Sequence, residues 1–419
     1  MKKFLTKIKK NKFFYIFTLL IVLMFPFALY DQSDKDNTLV VTSVGIDKVE
    51  DNYNLTLLSV IPKGSNDISA NLEIFKCSGK TISEALDNAT SNTGRKVGLA
   101  HCDSLIISLD ATEENIAKML DYFIRTSNLS TNASVIISDG KAEDLINATK
   151  SSNNFLDLRL KNVILFQEKS SMISNSTIEQ FYRTYLSKSG TILLPILSTE
   201  KPIQKDTAEG GGSGSEGNTS GGGSSTSGGE DNSGNQSKIK NDNRVLVLKQ
   251  GVKDREHTED ENFTYNLLSN KSDFLKITLE NINDQYVTES TEVYQQIEKI
   301  VLPTYKFKNK KPVITYHIWL SLMIDEIESN SNYSYASLDG LQSYLSNTTK
   351  DKILTQLENK LNNSLNIMKE NNDDILDIYD KFYAFKTSNW KEYIASLENP
   401  EEYLKDLQIE LDVNLNYVV

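Results

Sequence analysis

The sequence predicts an α+β protein with mixed β-sheets and packed helices, divided into two to three domains after one N-terminal transmembrane helix. Three observations predict this class. The first 30 residues are basic and then free of ionised side chains. Further along, β-branched segments alternate with amphipathic ones, which is typical of sheets covered by helices. A Gly- and Ser-rich stretch then divides the rest of the chain.

The N-terminal segment has the pattern of a membrane anchor. Residues 1–12 contain six lysines and residues 13–30 contain no ionised side chain, which is about the minimum length for one helical span. Because basic flanks stay in the cytoplasm, we expect a cytoplasmic basic tail at 1–12, a transmembrane anchor at 13–30 and an extracytoplasmic remainder. The alternative is a cleaved signal peptide, for which Ala28 and Tyr30 make a poor site because only the first is small.

Charge and cysteine content narrow the class of protein further. The net charge is −12, and it becomes −18 without the six leader lysines. A surface this acidic binds phosphate backbones poorly, so we expect no nucleic-acid partner. Cys77 and Cys102 are the only cysteines. A right-handed crossover between their two strands could join them in one disulfide, and two buried free thiols are the alternative.

Residues 39–150 predict an N-terminal mixed α/β domain. The β-rich segments LVVTSVGID and YNLTLLSVI flank a turn and indicate a hairpin. A third strand, NLEIFKCS, leads to Thr81 and Glu84, which have the spacing of a capping box. SLIIS and ASVIIS are predicted as buried strands, with a helix from Thr112 to Arg125 between them and the helix KAEDLINA after them.

Residues 151–285 are predicted to form a middle domain that a Gly/Ser-rich linker at 206–243 interrupts. The centre of the linker reads GGGSGSEGNTSGGGSSTSGGE, and this composition buries too little apolar surface to fold, so we expect disorder there. It is not a phosphate-binding loop, since no Lys-Ser or Lys-Thr pair follows the glycines. After it, RVLVLKQG and residues 273–281 are predicted strands around a helix near Phe263.

Residues 286–419 predict a C-terminal α/β domain. The segment VITYHIWLSLMI is predicted as a strand with one apolar face. Residues 351–379 form an amphipathic stretch that we interpret as one long helix. From Leu407 to Val419, apolar residues alternate strictly with polar ones, which predicts a closing strand with one buried and one solvated face.

The chain offers little for catalysis or metal binding. It has three histidines and no HExxH, GxSxG or CxxC motif. We interpret His101 as a turn or packed residue, and a two-ligand metal fragment with Cys102 is the alternative. His257 is expected to be solvated in a charged loop, and His317, near Trp319, to be a core or interface residue. We therefore predict no catalytic residue, no metal site and no cofactor, and hence no enzyme.

Several segments, in this order, resemble the Ger(x)C family of spore germination proteins: VTSVGIDK, GKTISEAL, GLAHCDSLIIS, LDYFIR and DGKAEDLI. The resemblance continues after the linker through VLVLKQGVKDREHTEDENFTYNLLSNK, the long helix, the segment around Trp390 and the closing strand. Most of the matching residues are expected to be structural, with roles in close backbone approach, helix capping and helix-end charge. They are Gly45, Ile46, Asp47, Thr81, His101 and Arg125.

The resemblance implies a subunit of a germinant receptor. Members of this family are C subunits, extracytoplasmic proteins of three α/β domains held at the spore inner membrane beside integral A-type and B-type subunits. We therefore expect a role in receptor assembly or germinant signalling, with a cell-envelope adaptor outside germination as the alternative. Family members carry a lipid-receiving cysteine before Trp-Asp, whereas this chain reads Leu29-Tyr30-Asp31. This departure excludes lipidation at that site, and a retained helix is an adequate replacement.

Overall fold

The structure, a computed structural model, describes residues 17–20, 37–62, 70–125, 129–151, 159–169, 172–200, 238–273, 275–280, 290–329 and 347–417. The anchor predicted at 13–30 lies outside this set except for residues 17–20, which are helical. Among the residues that the structure describes, no helix is both long enough and apolar enough to cross a membrane.

The larger sheet is mixed and contains ten strands in the described part of the chain. The order is β10-β9-β8-β6-β5-β1-β2-β3, with β4 beside β1 and β7 beside β6. Five of its described strands, β1, β4, β5, β6 and β8, are parallel to one another. The bounds are β1 Thr38–Val49, β2 Asn52–Pro62, β3 Ala70–Gly79, β4 Lys96–Gly98, β5 Ser104–Ser108, β6 Ser134–Ser138, β7 Ser176–Thr177, β8 Thr191–Glu200, β9 Lys238–Lys249 and β10 Val252–His257.

Helices cover both faces of this sheet. One face packs against α1, α2 and α5, and the other packs against α3, α4 and α6. Strands β5 and β6 are buried along their whole length, as expected for strands that are covered on both sides. The helices are α1 Ile82–Thr93, α2 Ala117–Arg125, α3 Ala142–Ser151, α4 Arg159–Lys169, α5 Ile178–Leu186 and α6 Glu259–Leu268.

Within the described residues, the smaller sheet has four strands in the order β11-β12-β13-β14. Three further helices pack with this sheet and form the second half of the molecule, the larger sheet and its helices being the first. The core of the second half is continuous with the face of the larger sheet that carries α3, α4 and α6. The bounds are β11 Lys276–Glu280, β12 Ser290–Lys308, β13 Lys311–Ser329, α7 Asn347–Glu370, α8 Ile378–Phe385, α9 Thr387–Ser396 and β14 Gln408–Tyr417. Short 3-10 helices lie at Leu109–Glu113 and Pro400–Glu402.

The α+β class is confirmed, and so are the first hairpin and the half-buried closing strand β14. The region predicted as a middle domain, 151–285, forms no sheet of its own among the described residues. Its strands β8, β9 and β10 complete the larger sheet, and β11 belongs to the smaller one. Hydrogen bonding across β8 and β9 decides this arrangement, and the local sequence does not record it.

Two predicted boundaries differ from the observed ones. The linker predicted at 206–243 lies outside the described residues up to 237, and residues 238–243 belong to β9. The single helix predicted over 351–379 is two helices, α7 and α8, because Asn372 adopts a positive φ of 53° and ends the helical path. Asparagine tolerates this left-handed conformation better than most residues.

Candidate functional site

The motif Gly45-Ile46-Asp47 fastens a helix to the centre of the larger sheet. Both carboxylate oxygens of Asp47 accept backbone N–H groups at the start of α3, from Ala142 at 2.8 Å and from Glu143 at 3.1 Å. Burial raises the pKa of Asp47 above its usual value, and these two donors oppose the rise. A Cβ on Gly45 would lie 3.3 Å from Ala142, so the glycine permits the close approach that the sequence predicted.

The other family-matching residues are spread over the domain. Thr81 caps α1, since its hydroxyl accepts the Glu84 N–H at 3.1 Å. Arg125 is the last residue of α2 and pairs with Asp121 at 2.7 Å on the surface. His101 is exposed in the turn before β5. The structure does not bring these residues together into one site.

Cys77 and Cys102 are buried free thiols, so the alternative to the disulfide is the one observed. Cys77 on β3 is level with Leu55 on β2, and Leu55 is level with Ile46 on β1. Ile46 is in turn level with Ile107 on β5. Three strand spacings amount to roughly 14 Å, and Cys102 lies five residues before Ile107 along the chain. A disulfide needs Cα atoms within about 7 Å.

A buried charge cluster, Arg255 with Glu261 and Asp373, joins the two halves of the molecule. The guanidinium of Arg255, on β10, lies 2.6 Å from a carboxylate oxygen of Glu261 on α6 and 2.6 Å from one of Asp373, which follows α7. Lys249 adds a contact of 2.9 Å to Asp373. Asp373 is 0% exposed and Glu261 only 2% exposed. Burial would raise the pKa of Glu261, but hydrogen bonds from Arg255 and Thr258 outweigh it and lower the pKa.

His257 is buried beside this charge cluster, so the expectation of a solvated loop was wrong. It ends β10, and its Nδ1 lies 3.1 Å from the Asn262 side-chain oxygen. Burial lowers the pKa of His257, which favours the neutral imidazole. Thr258 and Glu261 form a full capping box for α6. The run of charged residues REHTEDE indicated a solvated loop, and this interpretation missed the cap because several of these polar side chains are buried.

His317 lies on the outer face of the smaller sheet and is partly exposed. Its Nδ1 is 2.7 Å from a carboxylate oxygen of Asp412 on β14, and its ring stacks on Trp319 with centroids 6.0 Å apart. Trp319, 39% exposed, and Ile300, 55% exposed, are register partners across β13 and β12. His317 is therefore a surface residue in this chain, and the predicted interface role stays a prediction.

A groove runs between the two halves, close to Lys249 and Asp373. It has a volume of about 920 Å³. One wall is the loop 185–191 with the β9–β10 turn, and the other contains Asn372, Tyr379 and residues 399–401. A second depression of about 360 Å³ continues from Ser187 along α8 to Phe385.

The wall on the larger sheet is held in place by its backbone. Gln250 donates its N–H to the Gly190 carbonyl at 2.9 Å, and Gly190 and Gly251 have φ angles of 59° and 80°. A Cβ on Gly190 would lie 2.2 Å from the Gln250 side-chain nitrogen. The Asn115 side chain donates to the Tyr185 hydroxyl at 3.1 Å. Glycine is required at both turns, because a side chain would be strained or obstructed there.

The opposite wall depends on one buried carboxylate. Asp374 is 1% exposed, and it accepts the N–H groups of Ile378 at 2.6 Å and Tyr379 at 2.9 Å, together with the Tyr403 hydroxyl at 2.6 Å. Burial raises the pKa of Asp374 to about 6, although these three hydrogen bonds oppose the rise. The carboxylate thus fixes the start of α8, and its partners Tyr379 and Tyr403 line the groove.

The lining of the groove is polar and mixed in charge. It presents tyrosine and serine hydroxyls, side-chain amides and charges of both signs. In the described part of the chain, no cluster of three or more His, Cys, Asp or Glu side chains could hold a metal ion. Sequence reasoning did not find the groove, because its walls come from segments about 180 residues apart.

Comparisons with known proteins agree with the ordered motifs. Residues 31–199 match the family model described as spore germination protein N-terminal domain, and residues 245–417 match the one described as spore germination B3/GerAC like, C-terminal. A putative spore germination protein, YfkR of Bacillus subtilis strain 168, is 24% identical over 148 residues, which are 33% of this chain and 38% of that protein. The crystal structure of the GerBC protein aligns over 90% of this chain and 97% of its own, with a TM-score of 0.49 and 12% identity.

Proposed function

The chain belongs to the GerAC-like family of spore germination proteins, and from that premise we propose that it is the C subunit of a spore germinant receptor. In this role it supports receptor assembly or germinant signalling and catalyses no reaction. The observation that carries the proposal is the succession of the two family regions, 31–199 and 245–417, in one chain. The groove fits the role, since it offers a preformed binding surface built from hydrogen-bonding groups.

We propose further that the chain is anchored by residues 13–30, with its bulk outside the membrane. The support is the run without ionised side chains and the six lysines before it, which together favour an inserted helix with a cytoplasmic N-terminus. At the spore inner membrane this anchor would hold the subunit beside integral A-type and B-type subunits. No lipid-receiving cysteine is required, because a helix binds the bilayer more tightly than one acyl chain.

A deletion strain of the host organism tests the role. Spores without this chain should form in normal numbers but germinate slowly or not at all with nutrients, and a restored gene should recover the response. The control is the same gene lacking residues 13–30, which should fail to complement although the protein accumulates. Normal nutrient germination in the deletion strain, under every nutrient to which the parent responds, would reject the role.

Membrane fractionation tests the anchor independently. The full-length chain should stay with the bilayer after a carbonate wash, and its N-terminal peptide should be detectable by mass spectrometry. A soluble chain beginning near Asp31 would instead show that the leader is a cleaved signal peptide.

A further inference from the structure

We propose that the groove between the two halves docks a polypeptide segment of an integral receptor subunit, with Leu186 and Phe385 as the apolar contacts on its two rims. The inference rests on the proposed function, since it requires an anchored chain and a membrane partner. It adds the surface through which the two meet.

The groove lies at the edge of the larger sheet from which the parallel strands start. The register runs from Ser43 on β1 through β5 and β6 to β8, and it places Thr191 level with Val41. Thr191 is itself paired with Lys249, so both strands of the groove wall reach this edge. Three strand spacings separate β1 from β8, which is roughly 14 Å.

The tether to the membrane enters the sheet at the same edge. Between the predicted span, which ends at residue 30, and the start of β1 at Thr38 there are seven residues. Even fully extended, they reach about 24 Å. The first residues of β1 are therefore held close to the lipid surface, and the groove lies on the membrane-proximal side of the molecule.

Two unusually exposed apolar side chains stand on the rims of the groove. Leu186, the last residue of α5, is 78% exposed, and Phe385, the last residue of α8, is 66% exposed. Each lines one of the two connected depressions. Large apolar side chains that stay in solvent offer favourable contacts to a partner, because burying them removes apolar surface from water.

The charges favour a polypeptide over a lipid surface. Anionic membranes attract clusters of lysine and arginine, whereas the extracytoplasmic part of this chain has a net charge of −18 once the six leader lysines are removed from −12. The net charge of the side chains that line the groove is near zero. Its charged residues, apart from Lys249 in the buried charge cluster, are Arg183, Lys188, Lys381, Asp377, Asp380 and Glu401. Hydroxyl and amide groups between them match the donors and acceptors of a peptide backbone.

Thiol protection gives the first test. The chain is produced in membranes with or without the A-type and B-type subunits of its host, carrying Leu186→Cys, Phe385→Cys or, as a matched control, Val49→Cys. Val49 is 51% exposed at the end of β1, at the opposite edge of the sheet from the groove. The native thiols are buried, so a maleimide reports the introduced one. We expect labelling at 186 and 385 to slow at least tenfold only when the integral subunits are present, with Val49→Cys unchanged. Equal protection in vesicles without the integral subunits would show that the groove contacts lipid, and no protection would show that it stays exposed. Either result overturns the proposal.

Co-purification gives the second test and separates the two proposals. The double variant Leu186→Asp/Phe385→Asp should co-purify with at least tenfold less of the integral subunits than the wild-type chain does in detergent. Its thermal unfolding should be unchanged. Val49→Asp serves as the control and should retain them. If the double variant retains them as well, the groove is not the interface although the proposed function stands. If the wild-type chain retains none, both proposals fail.

Discussion

Removal of the Arg255 guanidinium should destabilise the protein more than the loss of any surface ion pair. The substitution Arg255→Met keeps an unbranched, flexible stem but removes the guanidinium, and it leaves Asp373, 0% exposed, and Glu261, 2% exposed, without their shared cation. Breaking a buried pair from one side costs about 3–5 kcal/mol. Lys249 at 2.9 Å from Asp373 and the Thr258 N–H at 3.0 Å from Glu261 remain, so we expect about 3 kcal/mol.

The assay is thermal unfolding of the full-length chain in detergent, combined with a double-mutant cycle. A loss of this size lowers the Tm by roughly 6–12 °C, at about 2–4 °C per kcal/mol for a large domain. Asp373→Asn alone should also destabilise, and the double variant should lose less than the two single losses together, with a coupling energy of about 1–3 kcal/mol. The control is Lys310→Met, whose partner Glu392 is 3.3 Å away with both side chains mostly exposed; it should cost less than about 1 kcal/mol. If Arg255→Met costs no more than this control, or if the cycle shows no coupling, the buried charge cluster does not hold the two halves together.

Three further predictions concern the core of each half. Gly45→Val should cost about 2–3 kcal/mol, because even its Cβ would lie 3.2 Å from the Ile146 side chain; a Tm within 2 °C of wild type would contradict the close approach of α3. Asp374 has a pKa raised by burial to about 6 in the folded chain, against 3.8 as its ordinary value. The folded state therefore holds this proton more tightly, and the contribution of Asp374 to the free energy of unfolding should be greatest below pH 4 and fall as the pH rises to about 6. That fall should be missing from the Asp374→Asn variant, and identical pH profiles of the two proteins would refute it. Cys77 and Cys102, whose pKa values burial raises to about 11 and about 12, should resist alkylation in the folded chain, and both should react after unfolding without reductant; a pair that reacts only after reduction would indicate a disulfide.

Local patterns were sufficient for many of the elements and for several residue roles, but they did not indicate α4, α5, β8 or β12. Strict alternation placed the closing strand, and the Thr81 and Glu84 spacing placed the start of α1, because both features depend on neighbours within a few residues. Gly45 was predicted to allow close approach, and the structure identifies α3 as the element that approaches. The sequence could not identify it, since almost one hundred residues separate Asp47 from the helix that it caps.

What the sequence determined by itself is the α+β class, the order of the main elements up to α3, the net negative charge and the family to which the chain belongs. Only the tertiary structure decided which strands are neighbours, and everything non-local follows from that. The insertion of β1 and β2 between β3 and β5 separated the two cysteines. The pairing of β8 with β9 across a 37-residue connection places these strands of the predicted middle domain in the larger sheet and brings Lys249 to the groove wall. Periodicity reports which face of a segment is buried, but strand order depends on contacts between distant segments, and for that reason the groove and the buried charge cluster became visible only in three dimensions.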